Sequence, residues 1–240
     1  MNISSKVSLS LKTYMSAHFL VAANCLALDA KKIEAAEKGK TNSKFVLNHR
    51  AYVISSIFMS MAFVEALINE LLFDASEGQV SSFPGLTQPM SKSFSEIWQR
   101  VKNPPYPSVL DKYEEALALT GKGIFDHGTN PYQEIIDVVQ LRNSLMHYKP
   151  ETISTESTRD PKDINEIHKL EKRLRKKFNE NPLISGGNAF YPDKCLSFGC
   201  AAWAFAVCVR FVNEFCFRLG IQAPYHYVSP RLPALTKDIF

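Results

Sequence analysis

The sequence predicts an all-α protein, and three observations support this fold class. Apolar side chains recur every three or four positions along most of the chain, which is the period of an amphipathic helix. No segment alternates apolar and polar residues over enough positions to build a sheet. Hydrophobic residues make up 45% of the 240 residues and charged residues 22%, so the chain can bury a core. We expect one helical domain over residues 1–220 and a tail over residues 221–240.

Two long helices are expected in the first third of the chain. The first, over residues 9–38, has an apolar stripe that includes Tyr14 and Phe19, and Gly39 is a natural stop. The second, over residues 47–73, is apolar on most sides. A helix that is apolar all round is usually buried, so we expect the second helix to be central.

Residues 76–107 differ from their surroundings because Ser, Gly and Pro are frequent there. A structureless loop of this length is unusual in a compact domain, so we expect an ordered but irregular excursion over the bundle. The pattern of residues 93–101 predicts a short helix within this excursion. Ser93 is the expected N-cap of this helix, and Glu96 completes a capping box.

The second half of the chain predicts four more helices. They cover residues 108–119, residues 131–147, residues 161–178 and residues 195–219. Pro131 suits a first helical turn, and Pro150 biases Lys149 away from helical geometry, so the second of these helices should end at His147 or Tyr148. The third is amphipathic and basic, and the last is strongly apolar.

Residues 52–68 and 196–219 are apolar enough to be mistaken for membrane spans. Glu65 interrupts the first stretch and Arg210 the second, and neither offers the uninterrupted run of about 18 apolar residues that a bilayer needs. We expect both to be buried helices of a soluble bundle, without a membrane partner.

The cysteines and the N-terminus both favour a cytoplasmic location. The five cysteines form no C-x-x-C pair, and four of them lie in one apolar stretch, where reduced thiols pack as small hydrophobes. The N-terminus lacks the apolar run and cleavage site of a secretory signal. A net charge of +4 is mildly basic and is compatible with an anionic partner.

The most informative segment is LRNSLMHYKP at residues 141–150. It places Arg142, Asn143 and, after three further residues, His147 at the C-terminal end of an amphipathic helix. Of all the arginines in the chain, only Arg142 has a histidine five positions later. The leucine before Arg142 and the helix stop after His147 add weight to this spacing.

This segment resembles the motif of HEPN ribonucleases, in which an Arg, a polar residue and three more residues precede a His at a helix end. The order of the helices is also similar. The resemblance implies an up-and-down helical bundle that forms a homodimer, whose two motifs meet in a cleft and cleave RNA without a metal. By position it assigns the site to Arg142, Asn143 and His147, and Tyr148 is a candidate supporting residue. It also implies a toxin–antitoxin or anti-phage role, with an antitoxin or defence-system partner.

The residue types suit this chemistry. Imidazole exchanges protons near neutral pH and can take the proton of an RNA 2′-hydroxyl. A guanidinium can hold phosphoryl oxygens with two hydrogen bonds as negative charge grows on them. Residues five apart on a straight helix point about 140° apart, so Arg142 and His147 are expected to need a second copy of the chain.

Composition also favours a dimer. The apolar surface of residues 52–73 and 195–219 exceeds what a small bundle needs to hide, and an isologous contact would cover the surplus. Residues 221–240 have no core stripe of their own, so we expect this tail to lie across the neighbouring subunit.

Other interpretations of the motif stay open. A cation near a helix C-terminus is favourable by roughly 0.3–1 kcal/mol, so Arg142 and His147 could merely cap the helix. A catalytically silent HEPN module that binds a nucleotide, an RNA or a partner protein is a second function. A scaffolding bundle without a ligand is a third.

Two further groups of residues are candidates for a supporting role. Glu65 and Asn69 lie one turn apart in the most apolar predicted helix, where a carboxylate is expected to meet either a cation such as Arg210 or the catalytic site. Five cations that could follow an RNA backbone, or form a solvated helix face, crowd the end of the basic helix. They are Lys172, Arg173, Arg175, Lys176 and Lys177.

No metal or cofactor is expected. The other histidines have no ligand spacing with one another or with the cysteines. They are His18, His49, His127, His168 and His226. The glycines at positions 121, 123 and 186–187 lack a phosphate-loop context, and no G-x-S-x-G segment is present.

Overall fold

All the regular secondary structure in the described parts of the chain is helical, which confirms the all-α prediction. The computed structural model describes residues 11–40, 45–79, 83–150, 169–184 and 187–232, and these ranges contain no strand. A π-helical turn, Phe190–Lys194, and a 3₁₀ turn, His226–Arg231, flank the last long helix. The α-helices are α1 (Ser16–Glu37), α2 (Val46–Ser76), α3 (Gln88–Val101), α4 (Val109–Leu119), α5 (Tyr132–Met146), α6 (Lys169–Leu174) and α7 (Phe198–Leu219).

Helix α2 is the centre of the fold, as its composition predicts. It packs against α1, α3, α4, α5 and α7, and side chains such as Ile57, Val64 and Leu71 are fully buried. By length and composition alone, α2 and α7 are also the two described helices that could cross a membrane. About half of the most apolar window of α2 and 61% of that of α7 is buried inside the fold. The expected absence of a membrane partner stays a prediction.

Helix α1 begins at Ser16, and residues 11–15 before it are not helical. The predicted start at residue 9 is therefore wrong within the described range. The cause is distant in sequence: the Glu70 carboxylate of α2 accepts hydrogen bonds from the backbone N–H groups of Met15 and Ser16 at 2.6 and 2.8 Å. A carboxylate at this position satisfies N–H groups that a helix start leaves free, and it fixes where the helix begins.

The buried stripe of α1 also differs from the predicted one. Tyr14 is exposed and Phe19 is only partly buried, whereas the fully buried positions are Leu20, Ala23 and Ala27, with Ala30 one turn later. Small side chains at these positions let α1 and α2 pack closely, and the Ser56 hydroxyl of α2 donates to the Ala23 carbonyl at 2.8 Å. Alanine carries a weaker hydrophobic signal than Phe or Tyr, which explains the misplaced stripe.

Residues 76–107 are more regular than predicted. Helix α3 begins at Gln88 after Thr87, with a proline in its first turn, and proline is favourable there because its N–H would have no partner anyway. Ser93 therefore lies inside the helix, and the predicted capping box with Glu96 is wrong. Phe94 and other side chains of this segment are fully buried, so the segment contributes to the core.

Helices α4 and α5 have the boundaries that local signals predict. The Ser108 side chain accepts from the Asp111 N–H, and the Asp111 carboxylate accepts from the Ser108 N–H, which closes a capping box before α4. Helix α5 follows Pro131 and ends at Met146, with His147 as its C-cap. The predicted end of this helix is confirmed.

The described part of the C-terminal tail packs against its own chain. Tyr225, Val228 and Leu232 are buried, and the Tyr225 ring meets Phe63 of α2 edge-on at a centroid distance of 5.1 Å. The prediction that the tail lies across a neighbouring subunit is therefore wrong for residues 221–232, and residues 233–240 lie outside the described part of the chain. The apolar surface of this tail was underestimated because its buried residues follow no helical period.

All five cysteines are free thiols, and four of them are buried. Burial raises the pKa of the Cys216 thiol to about 12 and the pKa values of Cys200 and Cys208 well above their ordinary range. Cys25, on α1, is exposed. The predicted packing of the four C-terminal cysteines as small hydrophobes is confirmed.

The turn before α3 crosses the end of α7 at a glycine. Gly85 has φ +96°, and a Cβ built there would lie 2.3 Å from the carbonyl oxygen of Gly220. The crossing is also hydrogen-bonded, because the Gln222 N–H donates to the Pro84 carbonyl at 2.8 Å. Only glycine fits this position without moving one of the two backbones.

We expect Gly85→Ala to destabilise the protein more than Gly121→Ala. Gly121 also has a positive φ, +68°, but a Cβ there meets nothing within 4 Å. In the control, the free energy of unfolding should fall only by about 1–2 kcal/mol, which is the cost of a left-handed backbone conformation for a residue with a Cβ. In Gly85→Ala it should fall further because of the clash. Urea unfolding followed by far-ultraviolet circular dichroism measures both, and equal losses would contradict the close crossing.

Candidate functional site

The predicted motif residues lie together at the C-terminal end of α5. Arg142 is half-buried, whereas Asn143 and His147 are exposed. His147 is the C-cap, and its backbone N–H donates to the Asn143 carbonyl at 2.9 Å. Because the helix runs without a break to Met146, the Arg142 and His147 side chains leave it about 140° apart.

The apolar side chains around His147 are unusually exposed. Met146 is 53% exposed and Tyr148 is 51% exposed, one on each side of the histidine in sequence. Single exposed apolar residues are common on protein surfaces, but two beside a polar motif mark a surface suited to a ligand or a partner.

Arg142 differs from the other described arginines in having no carboxylate partner. The structure describes the side chains of seven arginines, and six of these seven form ion pairs. The six pairs are Arg50–Asp193, Arg100–Glu115, Arg173–Asp137, Arg175–Glu171, Arg210–Glu134 and Arg218–Glu214. Within the same ranges the Arg142 guanidinium and the His147 ring make no hydrogen bond to the protein.

The basic cluster after α5 is largely used inside the chain. Arg173 bonds the buried Asp137 carboxylate of α5, and Lys177 lies 3.2 Å from the same carboxylate. Arg175 pairs with Glu171 and, at 3.3 Å, with Glu180. These contacts fasten α6 and the following turn to α5.

Two cations of the basic cluster lack a carboxylate partner within the described residues. Lys172 and Lys176 are exposed and form no ion pair within the described residues. The predicted role of the whole cluster in binding RNA therefore rests on these two side chains, since the other three already face carboxylates.

Glu65 meets a cation, which is one of the two predicted alternatives, but the cation is Lys112. The Glu65 side chain is 51% exposed, and it lies 3.5 Å from the Nζ atom of Lys112, whose side chain is only 5% exposed. Lys112 also donates to the Asn69 side-chain oxygen at 3.0 Å. The buried charge is therefore a lysine of α4, and the two predicted residues supply the oxygen atoms that stabilise it.

Arg210, the cation suggested as the partner of Glu65, bonds a different carboxylate. Arg210 of α7 bonds Glu134 of α5 at 2.9 Å instead. In a helix that is apolar on most sides, sequence periodicity does not show which side faces solvent, so a polar residue there has no assignable partner.

Two cavities in the described part of the chain lie away from the motif residues. One of about 380 Å³ lies between the start of α5 and the second half of α7. Its lining residues are Asn130, Pro131, Arg210, Asn213, Glu214 and Phe217. A second, of about 230 Å³, is lined by residues that include Tyr14, Glu70 and Tyr227.

The sequence contains a pattern that corresponds to the larger cavity. Arg210, Asn213, Glu214 and Phe217 recur every three or four positions on α7, so they form one stripe on an otherwise apolar helix. The spacing of these four residues predicts a polar stripe on α7, whereas the sequence prediction treats Arg210 as an interruption of an apolar stretch and as a possible partner of Glu65.

No cluster of three His, Cys, Asp or Glu side chains that could hold a metal ion occurs within the ranges that the structure describes. Two of the histidines have carboxylate neighbours: His49 with Glu34, and His127 with Glu114. His168 lies outside the described residues.

Comparisons with protein-family models, with curated proteins and with solved structures found no match to this chain.

The contacts of the basic cluster generate a prediction about α6. Asp137→Asn should release Arg173 and Lys177, lower the free energy of unfolding by about 1–3 kcal/mol, and speed hydrogen exchange in Lys169–Leu174. The matched control is Glu171→Gln, which removes a more exposed pair and should cost under about 1 kcal/mol.

Unchanged hydrogen exchange in α6 of the Asp137→Asn protein would show that the buried carboxylate does not hold this helix. Tighter RNA binding by the Asp137→Asn protein would favour the nucleic-acid role of the cluster, because two more cations are then free to meet phosphates.

Proposed function

We propose that the protein is a metal-independent RNA endonuclease of the HEPN type, with a HEPN-like up-and-down arrangement of helices. The observation that carries the proposal is the guanidinium of Arg142. It is the one described arginine without a carboxylate, and it lies on the same helix end as Asn143 and His147. A guanidinium without a carboxylate partner in the described residues suits a phosphate ligand, and an exposed imidazole at the same helix end can exchange a proton with it.

Each motif residue has a step to perform in this reaction. The His147 imidazole takes the proton of the RNA 2′-hydroxyl, and the 2′-oxygen attacks the adjacent phosphorus. The bond from phosphorus to the 5′-oxygen breaks, and the leaving oxygen takes a proton from solvent. Arg142 holds the phosphoryl oxygens while their negative charge grows, and the Asn143 amide orients the substrate. The products are a 2′,3′-cyclic phosphate and a 5′-hydroxyl.

The site is proposed to be composite, with Arg142 of one chain and His147 of the other acting on one phosphate in a homodimer. The helical geometry supports this, because the two side chains leave one helix about 140° apart. The exposed Met146 and Tyr148 supply apolar surface at the same end of α5. Helix α7 contributes little to this argument, since most of its apolar side chains are buried in its own chain and Phe217 is the strongly exposed one.

The proposed biological role is that of a toxin or phage-defence ribonuclease in the cytoplasm. Such an enzyme would be held in check by an antitoxin or a defence-system partner. This role rests on the resemblance of the segment from Arg142 to His147 to the motif of HEPN ribonucleases.

We expect purified protein to cleave single-stranded RNA in the presence of EDTA. Arg142→Ala and His147→Ala should each reduce the rate at least about a hundredfold, because each removes one of the groups that stabilise or form the transition state. His18→Ala is the matched control, since His18 is also an exposed histidine, on α1, and its rate should be unchanged.

End-group analysis of the products checks the mechanism, with 2′,3′-cyclic phosphates expected. Activity that disappears in EDTA and returns with magnesium would exclude it. Full activity of both motif variants would leave the silent binding module as the better function.

The composite site predicts complementation between two inactive chains. Arg142→Ala and His147→Ala proteins that carry different affinity tags are co-expressed, and the mixed dimer is isolated through both tags. One of its two sites keeps an intact Arg and an intact His, so about half of the wild-type activity should return. An inactive mixed dimer would show that each site uses both residues of one chain, and a fully active monomer would exclude a dimeric site.

Overexpression of the wild-type protein should slow bacterial growth, because unrestrained RNA cleavage depletes translation. Arg142→Ala and His147→Ala should relieve this effect equally, whereas His18→Ala should not. Growth curves with matched protein levels measure the effect. Equal growth inhibition by the wild type and both motif variants would separate toxicity from RNA cleavage.

A further inference from the structure

The cavity of about 380 Å³ between α5 and α7 is not part of the motif site, and its size is typical of a small-ligand pocket. One wall comes from residues just before α5, Asn130 and Pro131, and the other from α7. Its lining combines an aromatic ring, a guanidinium, a carboxylate and two amides, which is a set of groups suited to a polar planar ligand.

Phe217 supplies the aromatic wall. Its side chain is 81% exposed, although most apolar neighbours on α7 are buried in the core. An exposed aromatic face at the edge of a cavity is a surface on which a nucleobase can stack, and such stacking tolerates any base.

Each polar side chain that lines the cavity bonds the protein through one atom and keeps another hydrogen-bonding atom for a ligand. Arg210 uses Nη2 to bond Glu134, which leaves its other N–H groups. Asn213 accepts from the Tyr225 hydroxyl through Oδ1, so the free end of its amide is the NH₂ donor. Glu214 accepts from Arg218 through Oε1 at 2.8 Å, which leaves Oε2 as an acceptor.

This pattern of two donors and one carboxylate acceptor matches guanine better than the other bases. Guanine has acceptors at O6 and N7, which suit the Arg210 and Asn213 donors. Its N1–H and N2–H₂ donors suit the Glu214 carboxylate. Adenine would place its N1 acceptor against the carboxylate, so the same pocket would hold it less well.

The geometry points to a pocket that binds an unstacked guanine base of a single-stranded RNA. Pro131 and Arg142 are eleven residues apart, which is about three turns of α5 or roughly 16 Å along its axis, and they differ by only about 20° around it. Both therefore lie on the same side of this helix. If the proposed function holds, a strand whose scissile phosphate meets Arg142 can place a base a few nucleotides away in the pocket, and the pocket selects where the strand is cut.

Binding is tested with the Arg142→Ala/His147→Ala double variant, so that no cleavage interferes. Labelled uridine-rich oligonucleotides that carry one guanine or one adenine are titrated by fluorescence anisotropy. The guanine strand should bind roughly tenfold more tightly than the adenine strand. In this background, Phe217→Ala should weaken binding of the guanine strand at least about fivefold, and Glu214→Gln should remove the preference for guanine.

The matched control is Tyr106→Ala, because Tyr106 is an aromatic residue of similar exposure on the segment between α3 and α4. It should leave both affinities unchanged. Equal affinity for the two strands, or no effect of Phe217→Ala, would overturn the proposal. GMP that binds as tightly as the guanine strand would also overturn it, since the site would then serve a free nucleotide.

The two proposals fail in different ways. A guanine preference in the silent variant together with no cleavage by the wild type would remove the nuclease function and keep the pocket. Cleavage by the wild type without a guanine preference would do the reverse. In an active enzyme, Phe217→Ala should change the pattern of cut sites while Arg142 and His147 still support cleavage.

Discussion

The orientation of α5 about its own axis is the constraint on which the candidate site depends. Apolar side chains such as Val138 and Leu141 are fully buried on one side of this helix. The Glu134 carboxylate bonds α7 near one end, and the Asp137 carboxylate bonds the turn after α6. With these contacts made, Asn143 has to face outward, because it lies about 200° around the helix from Leu141.

The parts of the fold that the sequence predicts well are those set by neighbouring residues. The Ser108 capping box needs only positions three apart, and the end of α5 depends on a proline three residues after His147. The all-α class follows from a period that repeats through the chain. In each case the physical cause is local, so one sequence is enough to show it.

The parts that sequence reasoning missed depend on contacts between distant residues. The start of α1 is set by Glu70, more than fifty positions away. Tyr225 belongs to the core because its ring contacts Phe63, and no helical spacing of apolar residues around Tyr225 predicts that contact. A single sequence contains no information about which distant residues meet, so these features could not be derived from it.

The candidate site also has features that the sequence predicts and features that only the fold shows. The spacing of Arg142 and His147 is visible in the sequence, and so is the helix end that exposes them. The absence of a carboxylate beside Arg142 within the described residues is not visible, because six other arginines look similar until their partners are known. The larger cavity also cannot be seen without the fold, since it is formed between Asn130 and Pro131 on one side and α7 on the other.

The exposure of Cys25 has a practical consequence for the question of assembly. Cys195, Cys200, Cys208 and Cys216 are buried and Cys25 is exposed, and an alkylating reagent has to reach a thiol to react with it. The native chain therefore has one readily addressable sulfur without any engineered cysteine. A spin label attached there would give, in a two-fold assembly, one distance between two equivalent positions. The width of that distance distribution would measure how rigidly the two copies are held.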